Sequence, residues 1–154
     1  MTGYWDWAVA VHGRDGVDHA LMDLQDEHGQ CVAYLLWAAW AAAEGRALEG
    51  VVLSQGAALA RYWEASAIGP LRLARRALKA PAPPIDDEAR RALREQVRTA
   101  EFAAERLLME TLEGLAPAAG ARAGLIAEAL AAAAGAWERD VPADALKDLA
   151  ARLG

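Results

Sequence analysis

Thirteen consecutive residues, Cys31 to Ala43 (CVAYLLWAAWAAA), carry no charge, and Tyr34, Trp37 and Trp40 recur within them at intervals of three. At 1.5 Å of rise per residue such a run makes about 20 Å of helix, short of the roughly 30 Å of hydrocarbon that a spanning helix must cross. A helix apolar on every side has to be covered on every side, so the run predicts a central helix ringed by others. A buried strand fits less well, because Ala is the best helix former and a poor strand former, and Val32 is the only β-branched residue in the run. Gly29 and Gly45 flank it and supply stops.

A chain of 154 residues is most simply one domain with a real core. Forty of its residues are Ala, which bring helix propensity and close backbone approach but little area to bury. Leu and the six Trp therefore carry most of the hydrophobic stabilisation. The net charge of -6 argues against general nucleic-acid binding, which needs a basic surface to displace phosphate counterions. A single cysteine, Cys31, excludes an internal disulfide and a multi-cysteine zinc site, and its apolar setting predicts a buried hydrophobe rather than a reactive thiol. The start, MTGYWDW, has no basic region followed by an apolar stretch, so a cytoplasmic protein is expected.

Helical periodicity extends along the chain. Residues 3–12 place Trp5, Ala8, Val9 and His12 on one face, with Tyr4, Trp7 and Val11 beside it and Thr2 as a cap. From Val17 to His28 the inner face reads Val17, Ala20, Leu21 and Leu24. A longer helical region, Val51 to Lys79, is interrupted at Gly69 and Pro70, which predicts a kink or a split; upstream of it Leu59, Tyr62, Trp63 and Ser66 share a face. PAPP at 81–84 is the clearest linker, dividing one helical domain into an N-terminal subdomain (residues 1–80), a Pro-rich linker (residues 81–85) and a C-terminal region (residues 86–154). Asp86, Asp87 and Glu88 then cap a helix predicted to run to Leu115, with Ala89, Leu93, Val97, Ala100, Ala104, Leu107, Thr111 and Leu115 as its apolar stripe. An Ala-rich helix at 120–138, anchored by Leu125, Ile126, Leu130 and Trp137, precedes a last one with Leu146, Leu149 and Leu153 inside.

Three constellations carry chemistry. The basic segment Arg72, Arg75, Arg76 and Lys79 reads first as pairing with the acidic second helix, where Gln25 and Asp26 are placed to approach Arg72 and Arg76, or as a solvated face; docking on an anionic membrane, a phosphate-bearing ligand or an acidic protein surface is the alternative. The aromatics Trp37, Trp40 and Trp63 are core anchors by spacing, and can also frame a pocket for a flat apolar ligand. His19, Asp23 and Asp26 fall at i, i+4 and i+7, a spacing that offers one imidazole and two carboxylates to a metal, although a solvated polar face is the ordinary outcome. No nucleophile with a base, phosphate loop or paired metal motif accompanies them, so no enzyme, cofactor or metal is expected.

The segments YWDWAVAV, LQDEHGQCVAYLLWAAW (24–40) and WEASAIGPLRLARRALK (63–79) together resemble a proteobacterial family of small conserved hypothetical proteins, catalogued as a domain of unknown function (family 2390). The resemblance covers about the first 110 residues. It implies an all-helical cytoplasmic protein without an assigned activity. The sequence thus predicts an all-α, irregular bundle of about six to eight helices. Its leading functional expectation is a non-enzymatic interaction protein acting through the basic segment Arg72 to Lys79 or the long helix 86–115, with a homo-oligomer as one form. A small apolar ligand-binding protein and, below it, a metal-dependent enzyme are the alternatives.

Overall fold

The computed structural model describes residues 2–154. They form α1 (Tyr4–His12), α2 (Val17–Asp26), α3 (Val32–Ala43), α4 (Gly50–Trp63), a π-helical turn (Glu64–Ile68), α5 (Gly69–Ala77), α6 (Asp87–Leu115), α7 (Ile126–Trp137) and α8 (Ala143–Leu153), with no strand among the described residues. The fold is an all-α helical bundle, and no helix among those residues is long and apolar enough to cross a membrane.

The uncharged run is the axis of the bundle. Every side chain of α3 from Tyr34 to Ala42 is buried, covered by α1, α2, α4, α6 and α7. Trp37 and Trp40 are fully enclosed, and the hydroxyls of Tyr4 and Tyr34 donate to the Ala33 and Leu53 carbonyls, which removes the cost of burying them. Close packing here depends on small residues. A Cβ on Gly56 of α4 would sit 2.5 Å from the Trp37 ring, so α4 presents Gly56, Ala57 and Ala60 to α3. That contact rotates α4 away from the predicted face, leaving Tyr62 exposed and Leu59 and Trp63 half-buried.

The inner faces of α2 and α8 match their periodicity. That of α1 does not: Tyr4, Ala8 and Val11 point inward, while Val9 and His12 are exposed. Aromatic residues on adjoining stripes left two faces equally apolar, and the fit of Tyr4 against Trp40, at 5.5 Å between rings, decides between them. Thr2 does not cap this helix; the Tyr4 amide donates instead to Glu113 of α6 at 3.1 Å.

Gly69 and Pro70 do not split the chain. The helical path continues from α4 into α5 through the π turn, in which the Gly69 amide donates to the Glu64 carbonyl. Pro70 has no amide to donate, and a widened turn absorbs the lost bond. A Cβ on Gly69 would lie 2.7 Å from that Glu64 oxygen. Gly69→Ala is accordingly expected to cost about 1–3 kcal/mol through forced displacement of the turn, seen as a lower thermal midpoint by circular dichroism.

Beyond the π turn, α5 buries no side chain and the first half of α6 buries only Arg90 until Glu101 is reached. With the turn at 81–85 between them, these two segments form an arm lying outside the bundle core. Polar bonds hold it: Arg90 donates to the Leu78 and Lys79 carbonyls at the end of α5 and to Asp87, and Arg94 donates to the Arg75 carbonyl. Arg90→Ala is expected to raise amide exchange across 69–100 at least tenfold while leaving exchange in α3 unchanged, as measured by hydrogen-deuterium exchange mass spectrometry.

Helices from both sides of the Pro-rich segment share one core. Segment 117–125, predicted to be partly helical, is irregular with a bend at 121–122 and meets the end of α3, its Gly120 and Gly124 amides donating to the Gly45 and Ala42 carbonyls. It delivers α7, whose Leu130, Ala133 and Ala134 are fully buried.

Candidate functional site

A cavity of about 570 Å³ lies between α2, the Gly29–Cys31 turn, the first turns of α3, the π turn, the start of α5 and the middle of α6. Its lining grades from exposed His12, Asp18 and Met22 to buried Leu21, Gln30, Leu36, Ile68, Leu108 and Met109. Mostly apolar walls with a few convergent polar groups, in this volume range, are the usual make-up of a small-molecule site.

The sequence builds each polar group of the wall for a local reason. Gly29 adopts φ +61°, which turns the chain between α2 and α3, and its carbonyl accepts from the Trp137 indole at 2.9 Å. The turn carries Gln30 inward: the residue is 2% exposed, and neither its side-chain oxygen nor its side-chain nitrogen has a protein partner. Cys31, next in line, starts α3 without a side-chain capping bond. Burial pushes its thiol up to about 11, against the opposing pull of the Tyr34 and Ala33 amides at the helix start. Thiolate at neutral pH is then on the order of a hundredfold scarcer than for a free thiol, and iodoacetamide is expected to label Cys31 correspondingly slowly, as followed by intact-mass spectrometry.

Opposite the turn stands an ion cluster. Arg72 reaches Glu64 at 2.7 Å, Glu101 at 3.3 Å and Glu105 at 3.6 Å, and Arg75 shares Glu101. Burial favours the neutral form of Glu101, but Arg75 and Arg72 outweigh it and hold that carboxyl below its ordinary value. Glu105 shifts the other way, because burial and the neighbouring Glu101 charge exceed what Arg72 returns. Glu64, Arg72 and Glu105 line the cavity, and Glu64 and Ile68, the two ends of the π turn, both face it.

The basic segment is thereby divided. Arg72 and Arg75 are tied to Glu64 and α6 rather than to the acids of α2, whereas Arg76 and Lys79 are exposed on the arm. Gln25 and Arg72 line the same cavity, and Asp26 lies outside it. Trp37, Trp40 and Trp63 do not line it either: the first two are sealed in the core, with Trp40 donating to the Thr2 carbonyl, and Trp63 donates to the Ala104 carbonyl. The tryptophan that does face the cavity is Trp137. His19 and Asp26 are exposed, Asp23 stands 3.8 Å from His28, and no group of three or more His, Cys, Asp or Glu is placed to hold a metal among the described residues. Nothing in the sequence singles out Gln30, because a lone glutamine in a turn is ordinarily solvated; only its position after Gly29 hints at burial.

Fold and cavity together define an all-α protein with a mixed polar and apolar chamber beside its central helix. Residues 3–112 match the model of the family described as protein of unknown function (DUF2390), and the chain belongs to that family. No curated protein and no solved structure matches it.

Proposed function

We propose that the protein binds a small, largely apolar molecule in the cavity beside α3. The observation that carries this is the cavity itself, about 570 Å³ with mostly apolar walls and the Glu64, Arg72 and Glu105 cluster on one side. The π turn adds support, since such turns recur at functional sites and both ends of this one, Glu64 and Ile68, line the wall. The test is a fragment library screened by NMR on the intact chain. Hits should shift amides of residues 29–36, 64–72 and 105–109, and should be lost in Met109→Trp, which fills the chamber. An empty screen, or hits confined to the arm, overturns the proposal.

A second reading, contact with an acidic protein surface, is favoured by the arm. Residues 71–98 hold eight bases against four acids in a chain of net charge -6, and Leu73, Ile85 and Leu93 are exposed there. Residues 1–30, with six acids against one base, are such a surface, so a second copy of the chain is one partner that fits. Reversal of Arg76 and Lys79 is the informative test, because Arg72 and Arg75 are held in the ion cluster. Salt-sensitive association in sedimentation that survives this reversal would remove the arm from consideration. A cytoplasmic setting goes with either role, in keeping with a free, half-buried thiol.

A further inference from the structure

We propose that a second site, on the arm, binds a phosphate or diphosphate carried on a flat ring, the chemistry of a nucleotide. A cleft of about 460 Å³ between α5 and α6 is lined by Arg75, Arg94, Arg98, Glu101, Phe102 and Glu105, and it shares only Glu105 with the cavity beside α3. Its arginines keep donors open. Arg75 gives Nε and one terminal nitrogen to Glu101, and Arg94 gives Nε to the Arg75 carbonyl at 3.3 Å. The other terminal nitrogen of Arg75 and both of Arg94 make no bond among the described residues, and none of the three is sealed from solvent. The Arg98 side chain is 68% exposed, and its one ion pair among the described residues, with Glu95, spans 3.9 Å. The acids of the cleft are already answered, Glu101 by Arg72 and Arg75 and Glu105 by Arg72 at 3.6 Å. Guanidinium is therefore left over at one place in a chain of net charge -6. The planar fork of an arginine meets the oxygens of a phosphate two at a time, which an ammonium does not.

The order of residues along α6 extends the fit. Arg94, Arg98 and Phe102 recur every four residues, which sets them in one row over about 12 Å of helix. Two like charges one turn apart disfavour a helix, and an anion between them relieves that cost. Phe102 ends the row. It is 54% exposed, yet an edge-to-face contact with Trp5, 5.3 Å between ring centres, holds it in place. A large apolar ring half in water and fixed beside guanidiniums is a platform on which a flat ring stacks while its phosphates reach Arg98, Arg94 and Arg75. Core packing does not account for this face of the arm, since α5 buries no side chain.

Titration calorimetry on the full chain with ADP, inorganic pyrophosphate and adenosine, in the absence of magnesium, tests this. ADP should bind at least tenfold more tightly than either of the other two. Arg94→Gln and Arg98→Gln should each weaken ADP at least fivefold, and Phe102→Leu should bring it within threefold of pyrophosphate. Arg91→Gln, on α6 but outside the cleft, should leave ADP binding unchanged. Arg98→Gln alters an exposed side chain and keeps the fold, so it decides alone should Arg94→Gln fail to fold. Failure of ADP to bind, an affinity unchanged in Arg98→Gln, or equal weakening in Arg91→Gln overturns the site. ADP no tighter than pyrophosphate, or unaffected by Phe102→Leu, overturns the flat ring and with it the nucleotide class. Each of these results leaves the reading of the cavity beside α3 as it stands, because that reading is tested by amide shifts at other residues.

Discussion

Trp40→Ala is expected to lower the free energy of unfolding by about 4 kcal/mol, within the range for deleting a large aromatic from a packed core. The residue is wholly buried, its ring lies 5.5 Å from that of Tyr4, the Arg46 guanidinium sits 5.0 Å above it, and its indole donates to the Thr2 carbonyl at 2.9 Å. Its neighbours along α3 are Ala38, Ala39, Ala41 and Ala42, too small to fill the space it leaves. Collapse around the hole is therefore limited, and the cost stays near the upper end of the range. For a chain of this size the loss corresponds to a fall of roughly 8–16 °C in the thermal midpoint. Urea unfolding followed by far-ultraviolet circular dichroism checks it against Trp63→Ala, where a half-buried ring predicts a smaller effect. Equal losses for the two variants would mean that α3 is not the axis of the bundle.

The second large effect concerns Glu101. Its side chain is 9% exposed and carries Arg72 and Arg75 together. Glu101→Ala removes the shared acceptor and leaves two partly buried guanidiniums under-compensated, for a loss of about 3 kcal/mol or more. A double-mutant cycle with Arg75→Ala should show the two losses falling short of additive, since both break one bond. The pH dependence follows from the direction of the shifts. Glu101 titrates lower when folded, so its contribution is present above its unfolded value and is lost as pH falls through the depressed folded one. Glu105 titrates higher when folded, so its ionisation costs stability above that raised value, and Glu105→Gln is expected to be neutral or stabilising at pH 7. Denaturation of the three proteins from pH 7 down to pH 3 separates these signs: the gap between wild type and Glu101→Ala should close on acidification. A gap that did not narrow at all as the pH fell would show that the carboxylate charge is not what holds the cluster.

Helix positions were legible wherever one periodicity prevailed. Val17, Ala20, Leu21 and Leu24 of α2, and Leu146, Leu149 and Leu153 of α8, are buried as their spacing predicts. In α6 the predicted stripe fails at Ala89, Leu93, Ala100, Leu107 and Thr111, all exposed; of its residues only Ala104 is buried, and it faces inward with Leu108, Met109 and Leu112. The helix is apolar enough along its length to suggest a continuous face, but the bundle covers only its second half. In α4 the sequence placed Leu59, Tyr62, Trp63 and Ser66 on one face, and the buried side is Leu53, Gly56, Ala57 and Ala60, because α3 had already filled the interface with Trp37 and Tyr34.

The site was less legible than the fold. The residues that enclose the cavity come from α1, α2, α3, the π turn, α5, α6 and α7, and no spacing within one helix announces such a convergence. The basic segment was visible, yet its division into Arg72 and Arg75 on one hand and Arg76 and Lys79 on the other depends on where Glu64, Glu101 and Glu105 fall in space.

An uncharged run rich in Ala and Trp determines by composition alone that it will be helical, central and enclosed, because local propensity and hydrophobic burial demand the same outcome. What covers it is a matter of shape. Helix α7, which lies beyond the matched residues 3–112, closes against α3 through Ala133, Ala134 and Leu130, and the Gly29 turn sets Gln30 into the wall of the cavity. Those choices belong to the tertiary structure, since they depend on contacts between residues about a hundred positions apart, which no local pattern encodes.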